Sequence, residues 1–218
     1  MDAINGNLDL WGQGITYTLL VFFFGGLIAL VLGTIVGAMR VSPVPIARAV
    51  GTAYVTLVRN TPLTLVFFFF VFGYSALALP PLSNLVLGIL AIGVYTATYV
   101  AETLRAGINT VPVGQAEAAR AIGLPFGLVM TQVILPQAFR SVVPPMMSVF
   151  IALLKNTTVA AGFSIAVLPQ LQSTISNSQT RTGTPMEVLL WVALIFVALV
   201  MLLTWLQRTL ENRWRIAR

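Results

Sequence analysis

Residues 14–38 form an uninterrupted run of 25 positions that contains no charged side chain. A helix needs about 20 apolar residues to cross the hydrocarbon core of a bilayer, so this run is long enough to span one. Four further apolar runs, each with at most one charge, cover about residues 52–79, 85–104, 142–161 and 188–206. The pattern predicts an all-α integral membrane protein with about five transmembrane helices, forming one domain over residues 1–218.

The composition excludes several classes of protein. Only 8% of the residues are charged, whereas soluble domains carry about 25%. Cysteine and histidine are absent, which removes thiolate chemistry and the commonest general base and metal ligand. The sequence contains no phosphate-binding loop, nucleotide fingerprint or metal-ligand cluster. We therefore expect no catalytic residue, no metal and no cofactor in this chain.

The arginines are distributed asymmetrically between the predicted loops. Three lie within residues 40–59, three within 105–140 and four in the C-terminal tail, whereas the opposite loops contain only Arg181. Basic residues accumulate on the cytoplasmic side of membrane proteins. The asymmetry predicts an N-terminus outside and a C-terminus inside, with the 105–140 loop in the cytoplasm. The net charge of +6 is then explained by the orientation of the chain in the lipid membrane, and it does not indicate a nucleic-acid partner.

Three local patterns give further expectations. No basic residue precedes the first run, which favours a retained helix over a cleaved signal. Gly33 and Gly37 form a GxxxG pair that allows close approach of another helix. Residues 170–185 are rich in Ser, Thr, Gln and Asn, which is typical of an exposed loop.

The segment between Gly114 and Gly123 predicts a short helix inside the cytoplasmic loop. Its four alanines favour a helix, and Gly123 is a suitable C-terminal stop. Glu117 and Arg120 are three residues apart and can pair along one face. From the residues alone, an interfacial connector and a docking site for another protein are equally good interpretations.

A resemblance favours docking. Glu117-Ala118-Ala119, then Gly123, then Ile134-Leu135-Pro136 resemble the EAA loop of ATP-binding-cassette importer permeases. In that family the loop forms a coupling helix that fits a groove on the ATPase. The resemblance implies that the ATPase contacts are made by Gly114, Gln115, Glu117, Ala118, Ala119, Arg120 and Gly123.

Other segments resemble the polar amino-acid branch of that family, which carries histidine, glutamate, glutamine or arginine. They are residues 59–63, similar to an RGTPL motif, and residues 99–108, 135–138 and 154–158. The variants Asn60 and Asn156 look closest to actinobacterial glutamate permeases. Asn156 replaces an aspartate of many members, and its lack of charge favours an acidic or neutral amino acid.

The resemblance implies the permease subunit of a type I importer in the bacterial inner or plasma membrane, importing glutamate, glutamine or both. The implied partners are ATPase subunits, which bind ATP and Mg, a second permease subunit and an extracytoplasmic amino-acid-binding protein. Import of arginine or histidine is the alternative. A secondary transporter or a membrane enzyme fits less well, because internal repeats and clustered catalytic residues are missing.

Lys155 is the strongest candidate for the substrate path or gate. A charge inside a span costs at least about 2.5–3.5 kcal/mol, so it normally faces a partner or water. A snorkelling side chain or an ion pair with Glu102 are the alternatives. Arg59 and Glu102 are either a gate pair or anchors at the membrane interface, and threonine hydroxyls in helices often bond only their own backbone. The further candidates for the path or gate are Asn156, Thr157, Thr158, Arg59, Thr61, Tyr99 and Glu102.

Overall fold

A computed structural model describes residues 7–77, 79–177 and 185–214. Most of these residues form helices, which are joined by short loops and turns. No strand occurs among these residues, so the all-α prediction is confirmed. The helices are numbered in chain order: α1 Leu8–Val41, α2 Pro45–Arg59, α3 Leu63–Ala76, α4 Asn84–Ile108, α5 Val113–Ala121, α6 Phe126–Phe163, α7 Gln170–Asn177 and α8 Pro185–Trp214.

Four of the described helices are long and apolar enough to cross a membrane, namely α1, α4, α6 and the part of α8 up to Glu211. Helices α2 and α3 pass the same test only as a pair, which is bent by 101°. The structure therefore has four or five spans, in agreement with the predicted number of about five.

The predicted second span, residues 52–79, is not one continuous helix. It starts earlier, at Pro45, and breaks between Arg59 and Leu63. Pro62 adopts an extended backbone with ψ 136°, and a proline also disfavours the helical conformation of the residue before it. The sharp bend follows from this proline, which the sequence interpretation placed inside a span.

The predicted fourth span, residues 142–161, is the second half of a longer helix. Helix α6 starts at Phe126, passes through a π-helical segment at Val129–Ile134, and ends in a 3₁₀ turn at Thr157–Phe163. Pro144 and Pro145 lie inside it. Prolines are tolerated in membrane helices where the neighbouring backbone adjusts, so Pro136, which the sequence interpretation placed in the preceding loop, also lies inside α6.

The polar stretch after residue 170 also differs from the prediction of an exposed loop. Helix α7 occupies residues 170–177, and its Leu171 and Ile175 are buried against Trp11 and Val188. A spacing of four residues places both side chains on one helix face. Residues 178–184, which include Arg181, lie outside the described residues.

Helices α1 and α4 form the centre of the fold and pack closely along their length. A Cβ added at Gly33 would lie 2.5 Å from the Cβ of Val100, and one added at Gly37 would lie 3.3 Å from the Cβ of Leu104. The close approach predicted for the GxxxG pair is confirmed. The largest buried cluster joins α1, α3, α4 and α6 through Val21, Phe67, Ile92 and Leu153.

Candidate functional site

A cavity of about 390 Å³ opens between α4 and α6, and two of the predicted site residues line it. Tyr99 comes from α4 and Asn156 from α6. Ser148, Ala152 and Asn156 follow one another at intervals of four residues, which places them on one face of α6. The residues that line the cavity are Tyr95, Thr96, Tyr99, Ser148, Val149, Ala152, Leu153 and Asn156.

The polar groups of this cavity are only partly satisfied within the protein. The hydroxyls of Tyr95 and Tyr99 are 3.0 Å apart and share a hydrogen bond. Thr96 is 3% exposed, and its hydroxyl has no hydrogen-bond partner among the described residues. Its oxygen is closed to solvent, so the other polar groups that line the cavity, those of Tyr95, Tyr99, Ser148 and Asn156, are the ones that a ligand would meet.

Arg59 adds a positive charge beside the cavity. Its guanidinium carbon lies 5.4 Å from the centre of the Tyr99 ring, a cation–π distance. None of the residues that line the cavity is acidic. The cavity therefore combines neutral hydrogen-bonding groups with one nearby cation, and it suits a small polar ligand that is anionic or neutral.

Lys155 lies apart from this cavity. It is exposed and, with Thr158, borders a groove against Phe196, Val200 and Met201 of α8. The two adjacent predictions Lys155 and Asn156 therefore belong to different openings, because successive residues of a helix point about 100° apart. Among the described residues, no carboxylate lies within 4 Å of Lys155, so the alternative of an ion pair with Glu102 is wrong.

The predicted threonines bond to their own helices. Thr157 is fully buried and donates its hydroxyl proton to the carbonyl of Leu154 at 2.7 Å. Thr158 is exposed and donates to the carbonyl of Lys155, three positions earlier. Thr61 is half-buried and donates to the carbonyl of Leu57, four positions earlier. Such local bonds are common for threonine in helices, and they leave Thr157 outside both openings.

Glu102 pairs with two arginines, and neither is Arg59. Its carboxylate accepts a hydrogen bond from Arg40 of α1 and another, at 2.5 Å, from Arg105 of α4. The spacing of three residues places Arg105 on the same helix face, and the close packing of α1 brings Arg40 to it. The predicted Arg59–Glu102 pair is therefore wrong, and Arg40 is the partner that the sequence did not reveal.

Helix α5 carries the predicted coupling residues and ends as the sequence suggested. Gly123 has a φ of +89°, its N–H donates to Arg120, and the next N–H, of Leu124, donates to Ala119. This pair of bonds is a Schellman motif, which favours glycine at the left-handed position. The helix ends at this position because glycine adopts the left-handed conformation without a steric cost.

Most of the surface of α5 is open to solvent. Gly114, Glu117, Ala118 and Arg120 are exposed, whereas Ala119 is buried. Two large apolar side chains at its ends, Val113 and Ile122, are 72% and 80% exposed. Within the described chain, no contact shorter than 4 Å links the Glu117 carboxylate to the Arg120 guanidinium, so the predicted pairing is absent and both charges face outward.

One side-chain contact anchors α5 to a membrane helix. The amide of Gln137 in α6 donates to Gln115 at 2.5 Å and to the carbonyl of Val133 at 2.8 Å. The Val133 carbonyl belongs to the π-helical segment of α6. Gln115 therefore acts as an internal anchor, in addition to the position in the coupling segment that the sequence gave it.

Comparison with known proteins now identifies the family. Residues 29–216 match the family described as binding-protein-dependent transport system inner membrane component. The chain belongs to this family. It is thus a permease subunit of a transport system in the inner membrane, and the resemblance to ATP-binding-cassette importer permeases is confirmed.

Relatives and solved structures agree with this family. The glutamate transport system permease GluC of Corynebacterium glutamicum is 44% identical over 73% of this chain and 75% of its own. The probable glutamine permease GlnM of Bacillus subtilis is 34% identical over 95% and 96%. A solved amino acid ABC transporter with histidines has a TM-score of 0.87, with 26% identity and 96% of each chain covered.

Six of the residues that line the α4–α6 cavity were not among the predicted site residues, and three of these six are polar. The sequence allows Tyr95 to line the path but favours interfacial packing for it, and neither Thr96 nor Ser148 was a candidate. The spacing of Ser148, Ala152 and Asn156 by four residues is a sequence signal that points to this face. The position of Thr96 depends on how closely α4 packs on α6, which no local pattern reveals.

Proposed function

We propose that the chain is the permease subunit of an ATP-driven importer of glutamate, glutamine or both. The observation that carries the proposal is the α4–α6 cavity, which Tyr99 of α4 and Asn156 of α6 line with neutral hydrogen-bonding groups. The glutamate and glutamine permeases among its relatives support the same substrates.

The charge around the cavity favours an acidic or amide side chain over a basic one. Arg59 contacts Tyr99 from outside, and Asn156 contributes an uncharged amide. A cationic guanidinium or imidazolium ligand would be repelled by Arg59, and none of the residues that line the cavity offers a compensating carboxylate. This charge balance disfavours the alternative of arginine or histidine import.

The exposed face of α5 is the proposed docking surface for an ATPase. It combines outward-facing Glu117 and Arg120 with the exposed apolar side chains of Val113 and Ile122, and aromatic or aliphatic anchors surrounded by charges are typical of protein interfaces. The arginine distribution supports a cytoplasmic location for this face, with the N-terminus outside. The ATPase would bind ATP and Mg, because this chain has no phosphate-binding loop.

The remaining partners follow from the architecture. Four or five spans are few to enclose a polar path, so a second permease subunit completes it. Lys155, which is exposed on α6, would face that subunit or the water-filled path, since a charge facing lipid is costly. An extracytoplasmic binding protein would deliver the amino acid.

Uptake by the reconstituted complex tests the proposal. The chain is co-purified with its ATPase, incorporated into proteoliposomes with the binding protein, and supplied with radiolabelled glutamate, glutamine and arginine. We expect ATP-dependent uptake of glutamate or glutamine. Asn156→Asp should reduce glutamate uptake by about tenfold or more, because it places a carboxylate in the cavity beside the ligand.

A matched variant separates charge from position. Gln13→Glu makes the same amide-to-acid change on an exposed residue of α1 that does not line the cavity, and it should leave uptake unchanged. Uptake without ATP would indicate a secondary transporter. Uptake of arginine in preference to glutamate by the wild type would refute the substrate assignment.

A further inference from the structure

A second opening, unrelated to the α4–α6 cavity, contains a cluster of arginines. It lies between the end of α1, the segment of α2 from residue 48 to residue 57 and the end of α4, and has a volume of about 770 Å³. Arg40, Arg48 and Arg105 all line it. Arg40 and Arg105 occupy the last turns of α1 and α4, so the cluster lies at the level where these helices leave the membrane.

The positive charge of this opening is not neutralised within the described chain. Glu102 pairs with Arg40 and Arg105, which leaves three guanidinium groups against one carboxylate. Arg48 donates only to the backbone carbonyls of Ser42 and Pro43. The Nε groups of Arg40 and Arg105 are buried and have no hydrogen-bond partner among the described residues. The opening thus carries an excess of positive charge.

The wall formed by α2 has room and hydrogen-bonding groups for an anion. Thr52 and Thr56, one turn apart, present exposed hydroxyls to it, and Ala49 and Ala53 keep that side of the helix small. Leu57 lies at the far end of the same wall and is 70% exposed. The wall therefore changes from charged to apolar along the axis of α2.

This gradient matches one kind of ligand. We infer that the opening binds the phosphate headgroup of an anionic phospholipid, with the acyl chains along the apolar end of α2. Basic pockets between transmembrane helices on the cytoplasmic side bind such headgroups. A free phosphate would use the same arginines, but it would leave the exposed Leu57 and Val50 without a partner. The assignment of the bound lipid to the inner leaflet depends on the proposed orientation of the chain in the membrane. The binding itself does not depend on that orientation.

Native mass spectrometry of the full-length chain in detergent tests this inference. Phosphatidylglycerol and phosphatidylcholine with identical acyl chains are added at equal concentrations, and the lipid bound per chain is counted. We expect a clear preference for phosphatidylglycerol. Arg48→Gln should weaken its binding by about fivefold, the effect of one basic residue near an anionic headgroup. Arg140→Gln, an exposed arginine of α6 outside the opening, should leave it unchanged.

A second variant does not alter charge. Ala53→Phe fills the opening from an exposed position of α2 and should reduce phosphatidylglycerol binding at least as much as Arg48→Gln. Equal retention of both lipids, or equal losses in Arg48→Gln and Arg140→Gln, would overturn the proposal. Binding of inorganic phosphate that is weakened by Arg48→Gln, together with no preference for phosphatidylglycerol over phosphatidylcholine, would overturn the assignment to a lipid. Because no ATPase or substrate is present, these outcomes are independent of the proposed import function.

Discussion

Glu102 of α4 holds Arg40 of α1 through a carboxylate–guanidinium contact at the ends of both helices. The Arg40 side chain is only 12% exposed, and the same carboxylate also accepts a hydrogen bond from Arg105. One acidic residue therefore pairs with two arginines and joins two membrane helices at the end that carries α5.

Replacing Glu102 by glutamine should destabilise the protein, because two neighbouring guanidiniums would lose their shared counter-charge. Breaking a buried ion pair by removing one partner costs about 3–5 kcal/mol, and the partial exposure of this cluster reduces the expected loss to about 2 kcal/mol. Thermal unfolding in detergent measures it as a lower Tm. Glu117→Gln, at an exposed position without an ion-pair partner, should leave the Tm unchanged.

The contact between α1 and α4 predicts a strong effect of side-chain size at Gly33. In Gly33→Leu the new Cβ would lie 2.5 Å from the Val100 Cβ and 2.8 Å from the Ala97 carbonyl oxygen, so the helices must separate. Overpacking of this kind costs about 1–3 kcal/mol or more. Gly12→Leu in the same helix meets nothing within 4 Å, and a comparable loss of stability in that variant would contradict the packing argument.

Charge reversal at Glu117 should disrupt docking of the ATPase. Glu117→Lys leaves α5 folded, because the side chain is exposed, but it inverts a charge at the centre of the proposed docking surface. We expect association with the ATPase, measured by co-purification and titration, to weaken by about tenfold or more. Asp9→Lys, an exposed reversal on α1, is the control. Undiminished association and uptake in Glu117→Lys would mean that α5 is a connector only.

Removal of the positive charge at Lys155 should abolish uptake while assembly survives. Lys155→Ala changes an exposed side chain in the groove between α6 and α8, so the fold should tolerate it. Lys155→Arg retains the charge and should retain part of the transport. Normal uptake by Lys155→Ala, measured in the reconstituted complex, would exclude Lys155 from the path and leave the α4–α6 cavity as the better candidate.

The long helices and the end of α5 could be predicted from the sequence because their signals are local. A run of 25 uncharged residues leaves few alternatives to a spanning helix, and Gly123 supplies the left-handed residue that its turn requires. The prolines were misleading for the opposite reason. Pro62, predicted inside a span, bends the chain by 101° between α2 and α3. Pro136, predicted in a loop, lies inside α6, and only the packing around each proline distinguishes the two outcomes.

The candidate site was less predictable because it depends on contacts between distant helices. The pairing of Glu102 with Arg40 joins residues 62 positions apart, and it replaced the predicted partner Arg59. Similarly, Lys155 and Asn156 are neighbours in sequence, but the rotation of α6 assigns them to different openings. Residue type identified which side chains matter, and tertiary packing decided which of them meet.

The attachment of α5 to α6 has a mechanical consequence. Gln137 anchors α5 beside the π-helical segment, and Asn156 lies 19 residues beyond Gln137 along the same helix. At a rise of about 1.5 Å per residue this is a lever arm of about 28 Å, and a tilt of about 5° at its base would move Asn156 by about 2.5 Å. That distance is close to the length of a hydrogen bond. If α5 docks on the ATPase as proposed, a small angular stroke there would change the hydrogen bonding of a ligand at Asn156.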